Sequence, residues 1–230
     1  SDMAIGIALL LGFRLKANFD SPYKSASVTE FWRRWHISLS SWLKDYLYIA
    51  LGGNKKGKLR TYFNLFITML LGGLWHGASL KFVFWGGLHG LSLIVHKLLM
   101  RLFPWMKVNG SEMSAWQRLF GVLLTFHIVS ACWVFFRADS FAQAIEVFNR
   151  IFTAFHPEVL PQFVLGYKVV FSLMILGYLL HFVPQQLETR VNDAVIRMPL
   201  VLQAVAITLL IIFIFQIKSA EIQPFIYFQF

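Results

Sequence analysis

Apolar residues in this chain fall into long blocks instead of alternating singly with polar ones. Five blocks are long enough, or nearly so, to cross a hydrocarbon layer: roughly residues 62–78, 82–100, 116–136, 163–183 and 200–217. Such a layer is about 30 Å thick and a helix rises about 1.5 Å per residue. Sustained apolar/polar alternation is absent, which argues against a transmembrane β-barrel. The pattern predicts an all-α, polytopic integral membrane protein. Between residues 30 and 51 the spacing changes. There Phe31, Trp35, Leu39, Trp42 and Tyr46 recur every three or four positions, making one stripe of a helix, and Arg33, Arg34, Lys44 and Asp45 lie largely off it. Ser27 and Glu30 have capping-box spacing ahead of it. Such a helix lies in the membrane interface or lines a cavity in the protein. A similar segment covers residues 141–155, after Arg137, Asp139 and Ser140.

Composition narrows the class. The 230 residues are 57% hydrophobic and 17% aromatic but only 14% charged, where a soluble domain carries about 25%. A disordered chain, a collagen and an ordinary soluble enzyme are excluded. Lys+Arg 21 against Asp+Glu 11 leaves a formal charge of +10. In a soluble protein that balance would suggest nucleic acid. Here the basic residues sit in short gaps between apolar blocks, so no nucleic-acid partner is expected. Lys55, Lys56, Lys58 and Arg60 fill one gap, Lys97, Arg101, Lys107 and Arg118 another, and Arg190 and Arg197 a third. The alternate gaps hold Lys81, and Arg137, Arg150 and Lys168. The richer gaps would be cytoplasmic, an orientation that inverts if block 62–78 is re-entrant. The single cysteine, Cys132, permits no disulfide within the chain and reads as a packing residue. The opening Ser1-Asp2-Met3 runs into an apolar stretch with no basic n-region or cleavage site. A fragment of a longer protein is therefore expected, with residues 1–230 forming one domain.

Polar groups inside apolar blocks are costly, and the histidines stand out. His76 lies in Leu71-Gly72-Gly73-Leu74-Trp75-His76-Gly77-Ala78-Ser79. Its glycines weaken a continuous helix, and broken backbone at membrane depth survives where protein buries it or water reaches it. One reading is an imidazole facing a cavity, kept neutral as a general base must be. The other is an interhelical hydrogen-bonder, with glycines that allow close packing. His36, in Phe31-Trp32-Arg33-Arg34-Trp35-His36-Ile37-Ser38, would have Trp32 and Ser40 at i−4 and i+4 of a helix. Arg33 and Arg34 could meet phosphates or lipid headgroups, or simply snorkel from an interfacial helix. His89 and His96 share a helix face but lack any compact metal spacing, so structural roles are expected. His127 and His181 read as interhelical hydrogen-bonders, and His156 as a solvated loop residue. The turn Leu51-Gly52-Gly53-Asn54-Lys55-Lys56-Gly57 lacks P-loop spacing.

The runs FWRRWHISLSSWLKDYLYIALGGN and LLGGLWHGASLKFVFWGGLHG resemble the membrane-bound O-acyltransferases, in particular the bacterial alginate O-acetyltransferase branch. The closing run 223–230 is similar to that branch's C-terminus. The resemblance implies a helical bundle with a central tunnel, of which this chain is the C-terminal part. It implies that His76, in the Trp-His-Gly motif, is the essential histidine, and that His36, in Arg-Trp-His, is the second characteristic polar position. The implied donor is acetyl-CoA or another acetyl thioester, with no bound cofactor and no metal. The implied acceptor is an extracytoplasmic, alginate-like polysaccharide or a periplasmic SGNH-hydrolase-like partner, reached from the bacterial inner membrane. Cellulose, peptidoglycan and teichoic acid are alternative acceptors. A polysaccharide transport or export subunit is the competing class; it calls for intramembrane acids or inverted repeats, and neither is seen.

Overall fold

A computed structural model describes residues 1–103 and 113–217, all-helical apart from turns and loops among those residues. The chain divides into two compact units, Ser1–Phe155 and His156–Phe230. Lys107 and the closing run 223–230 lie outside the described residues.

The first unit begins with α1 (Asp2–Leu10), a loop and a 3-10 turn (Pro22–Lys24). Next come α2 (Val28–Arg34) and α3 (Ile37–Trp42), which runs on as a π-helical turn over Leu43–Tyr48. Then follow α4 (Lys58–Trp75), α5 (Leu80–Leu102), α6 (Ala115–Arg137) and α7 (Phe141–Thr153). The helices α5 and α6, 23 residues each, are long and apolar enough to cross a membrane. Leu91, Leu123 and Leu124 are exposed on them, as a lipid-facing surface requires.

The second unit holds a 3-10 turn (Pro157–Val159), α8 (Leu160–Gly166), α9 (Lys168–His181), α10 (Gln185–Arg197) and α11 (Leu200–Ile217). Block 163–183 is not straight: the segments Pro157–Gly166 and Lys168–His181 meet at 92°. The segments Gln185–Arg197 and Leu200–Gln216 meet at 118°. At that second corner Pro199 keeps Met198 out of helical geometry, with ψ 146°. Counting each bent pair as one crossing gives up to four spans.

Two local differences from the sequence pattern shape the first unit. The stripe at 30–51 is not one helix. It breaks after Arg34, where Trp35 is extended and His36 takes a left-handed conformation, φ 44° and ψ 55°. Phe31 and Leu39 of the stripe are buried on either side of the break, but beyond it Leu43 is buried while Trp42 and Tyr46, expected on the stripe, are 49% and 68% exposed. The cap ahead of it forms as spaced: Ser27 Oγ accepts from the Glu30 amide at 3.2 Å, while Glu30 Oε2 accepts from Ala26 N, one residue beyond the usual partner, at 2.9 Å.

Secondly, Gly72 and Gly73 do not break α4. The helix runs through both and ends at His76, where Gly77 turns the chain at φ 150°. The glycines bring backbones together. A Cβ on Gly73 would lie 2.2 Å from the Phe82 carbonyl oxygen, and one on Gly86 2.3 Å from that of Met69. The α4–α5 hairpin is thus joined backbone to backbone, the geometry small residues permit. α6 packs on α5 through Cys132 and Phe135, which leaves Cys132 a buried packing residue.

Candidate functional site

His76 sits at the C-terminal end of α4, its amide donating to the Gly73 carbonyl at 3.0 Å. The side chain is 8% exposed. Aromatic rings surround it: Trp75 at 5.0 Å, Phe136 at 5.1 Å, Trp85 at 5.3 Å and Phe82 at 6.3 Å between centroids. Three of these meet the imidazole nearly edge-on, at 78° to 88°. Three elements build this cage: α4, α5 and the end of α6.

His36 reaches the same corner from the other side. Its ring centroid is 6.5 Å from that of Trp75, whose indole also meets His76. The two imidazoles are close enough for a charge on one to repel a charge on the other. The left-handed backbone at His36 is uncommon for a residue with a Cβ and needs support. Asn18 provides it. The carbonyl of Asn18 accepts from Ile37 N, and its Oδ1 accepts from Ser38 N and Ser38 Oγ, each at 2.9 Å. Phe19 packs on Trp35 at 4.8 Å. The half-buried imidazole has no hydrogen-bond partner for its buried Nδ1 among the described residues. Its pKa is lowered, chiefly by burial.

The arginines between Trp32 and Trp35 have separate fates. Arg34 is engaged within the protein: Nε donates to Glu30 Oε1 at 3.0 Å, and a terminal nitrogen donates to Asp20 Oδ2 and O, each at 3.1 Å. It therefore fixes α2 against the loop before it. Arg33 is exposed and remains available to anionic groups.

The remaining histidines are mostly structural. His89 is fully buried on α5 and its Nδ1 accepts from Trp32 Nε1 at 3.3 Å, so Trp32, expected beside His36, bonds to His89 instead. His96 Nδ1 lies 3.0 Å from Thr29 Oγ1. His127 does not bridge helices through Nδ1, which bonds the Leu123 carbonyl of its own helix at 2.7 Å. His156 is exposed and pairs with Glu158 at 2.8 Å. His181 packs on the adjacent Phe182 ring. Among the described residues no three His, Cys, Asp or Glu side chains cluster to hold a metal ion.

Several contributors carried no sequence signal. Lys81, counted from sequence as a gap charge, donates to the Ala138 carbonyl at 2.7 Å and lies 4.8 Å over Phe82. It ties the start of α5 to the end of α6 beside the His76 cage. Trp133 joins both histidine surroundings, packing 5.0 Å from Trp35 and 5.8 Å from Trp85. Its other side lines an open cleft of about 580 Å³ with Ser130, Arg137, Asp139 and Gln143.

Residues 1–136 match the family model of the membrane-bound O-acyltransferases, a stretch that includes both His36 and His76. The chain belongs to that family. Among its curated relatives is the probable alginate O-acetylase AlgI of Pseudomonas putida, 49% identical over 153 residues, covering 66% of this chain and 30% of that protein. The peptidoglycan O-acetyltransferase of Helicobacter pylori is 45% identical over 146 residues, covering 64% and 27%. The teichoic acid D-alanyltransferase of Streptococcus thermophilus is 31% identical over 152 residues, covering 59% and 36%. The chain thus spans about a third of the length of these relatives or less.

Proposed function

We propose that this chain carries the acyl-transfer site of a multi-pass enzyme of the bacterial inner membrane, one that O-acetylates a cell-envelope polysaccharide. One observation carries the reading. Two segments far apart in sequence, Arg34-Trp35-His36 and Trp75-His76-Gly77, bring both imidazoles against one indole, that of Trp75.

Transfer from a thioester to a hydroxyl needs a base for the hydroxyl proton and a partner for the developing oxyanion. His76 is the base. It takes the proton as the acceptor oxygen attacks the acyl carbon, and that proton leaves with the thiolate when the C–S bond breaks. His36, presented by a strained backbone, orients the donor or stabilises the oxyanion. The aromatic walls leave the His76 residue only 8% exposed, which limits water at the base and favours transfer over hydrolysis. The donor is acetyl-CoA or another acetyl thioester from the cytoplasm. The acetyl group passes to the polymer outside, or to a periplasmic SGNH-hydrolase-like partner that completes the transfer.

An alginate-like polymer is the first choice of acceptor. Peptidoglycan is a second, because the peptidoglycan relative is nearly as similar, 45% against 49% identical.

The test is His76→Ala in the full-length protein. The variant should insert at normal levels and abolish envelope polymer O-acetylation. Wild-type acetyl ester content in that strain would show the base assignment to be wrong. Purified full-length protein given labelled acetyl-CoA separates the transporter alternative, since a transporter would neither hydrolyse nor transfer the acetyl group.

A further inference from the structure

His89 is 0% exposed, sits in the middle of α5 and is unused by the chemistry above. Its Nδ1 accepts from Trp32 Nε1 at 3.3 Å, so this nitrogen presents its lone pair and the ring hydrogen sits on Nε2. That second nitrogen is buried without a hydrogen-bond partner among the described residues. A phenylalanine would fill the space with no such desolvation cost. What the histidine adds is the bond to Trp32.

The surroundings show what that bond controls. The His89 ring lies parallel to Phe31, 4° between planes and 6.3 Å between centroids. Phe31 in turn stacks on Trp35, at 13° and 5.6 Å. Trp35 is the residue before His36. On its other side His89 meets Trp85 at 4.8 Å, and Trp85 is a wall of the His76 cage. Trp32 closes the circuit, 5.1 Å from His89 and 5.9 Å from Trp85. One buried ring therefore backs the walls of both candidate histidines.

We propose that His89 is a positioning residue for acyl transfer: held by Trp32 and stacked against Phe31, it sets the spacing between the segment that presents His36 and the corner that holds His76. This rests on the site assignment made above. Its bond to Trp32 fixes the rotation of α2, and so the direction in which the chain leaves α2 at Trp35. Displacements near 1 Å between reacting groups cost on the order of a hundredfold in rate. Loss of the bond should therefore appear in turnover more than in donor affinity.

The experiment uses the full-length protein in membranes of its own host, with radiolabelled acetyl-CoA titrated and label counted in the envelope fraction. His89→Phe and Trp32→Phe should each lower kcat about tenfold or more, with KM for acetyl-CoA within about twofold and normal membrane levels. The double variant should lose no more than either single one, because both remove the same bond. His89→Asn, which returns an acceptor near Nδ1, should recover most of the rate. Should His89→Phe insert poorly, Trp32→Phe and His89→Asn carry the test. Wild-type kcat in Trp32→Phe, additive losses in the double variant, or no recovery with Asn would overturn the proposal. Full activity in His76→Ala would instead overturn the site assignment. No label transfer by the wild type would overturn both.

Discussion

The backbone contact between α4 and α5 predicts a graded response to adding one methyl group. A Cβ at Gly73 would stand 2.2 Å from the Phe82 carbonyl oxygen, where ordinary contact begins near 3.4 Å. Neither atom belongs to a side chain that can swing away. Gly73→Ala must therefore push the helices apart by about 1 Å, and overpacking of this kind costs about 1–3 kcal/mol or more. Gly86→Ala, 2.3 Å from the Met69 carbonyl oxygen, should behave alike. Gly72→Ala would meet the Leu43 side-chain terminus at 3.0 Å, which can move, so its effect should be mild. Gly87→Ala would find its nearest neighbour at 3.6 Å and should be neutral or stabilising by up to about 1 kcal/mol, as alanine is in helices. The His76 amide bonds the Gly73 carbonyl, so separating the helices should also displace the imidazole. Apparent melting temperature and acetyl incorporation for the four full-length variants provide the assay. The expected order is Gly87→Ala at or above wild type, Gly72→Ala slightly below, and Gly73→Ala and Gly86→Ala far below in both measures. If Gly73→Ala melted with the wild type and kept its rate, the close approach would be refuted.

Two further outcomes concern His36. His36→Gly and His36→Ala both remove the ring and should lose most activity, but the glycine variant should be the more stable by about 1–2 kcal/mol, because a Cβ is penalised in the left-handed region; equal melting of the two would remove strain from the account. Burial lowers the His36 pKa, so the unfolded chain binds this proton more readily than the folded one. His36's contribution is therefore a stability loss as pH falls below its ordinary value of 6.5, and His36→Asn should show less destabilisation between about pH 7 and pH 5 than wild type, measured as the pH dependence of melting.

The membrane-helical class was legible because a lipid-facing helix must be apolar over its length, and composition records that directly. The long helices α5 and α6 agree closely with the sequence blocks 82–100 and 116–136. Breaks were harder to read. The bulky residues from Phe31 to Tyr46 keep a spacing of three or four in the sequence although the helix breaks at His36 and Leu43, not Trp42 or Tyr46, is buried beyond it, so periodicity conceals the left-handed residue. The glycines around His76 signalled that something special happens there. They could not say which ones pack and which one turns: Gly73 meets Phe82 and Gly86, residues beyond the turn, whereas Gly77 makes the turn itself. His36 and His76 could be paired through a motif resemblance. The surroundings that define their corner could not. Asn18 acts from the loop before α2, and Trp133 and Phe136 come from a different helix, so none shares a local pattern with the histidines they serve.

The contact of α4 with α5 has a dynamic consequence. Where two backbones touch, no side chains lie between them to rotate or compress. The hairpin that carries His76 is then a stiff plate on the timescale of turnover. The facing wall, the His36 segment, is held differently, by three hydrogen bonds to Asn18 and by Trp35 packed on Phe19 and Phe31. Both histidines are then placed before a substrate arrives, the base by a backbone contact and its companion by hydrogen bonds and ring packing.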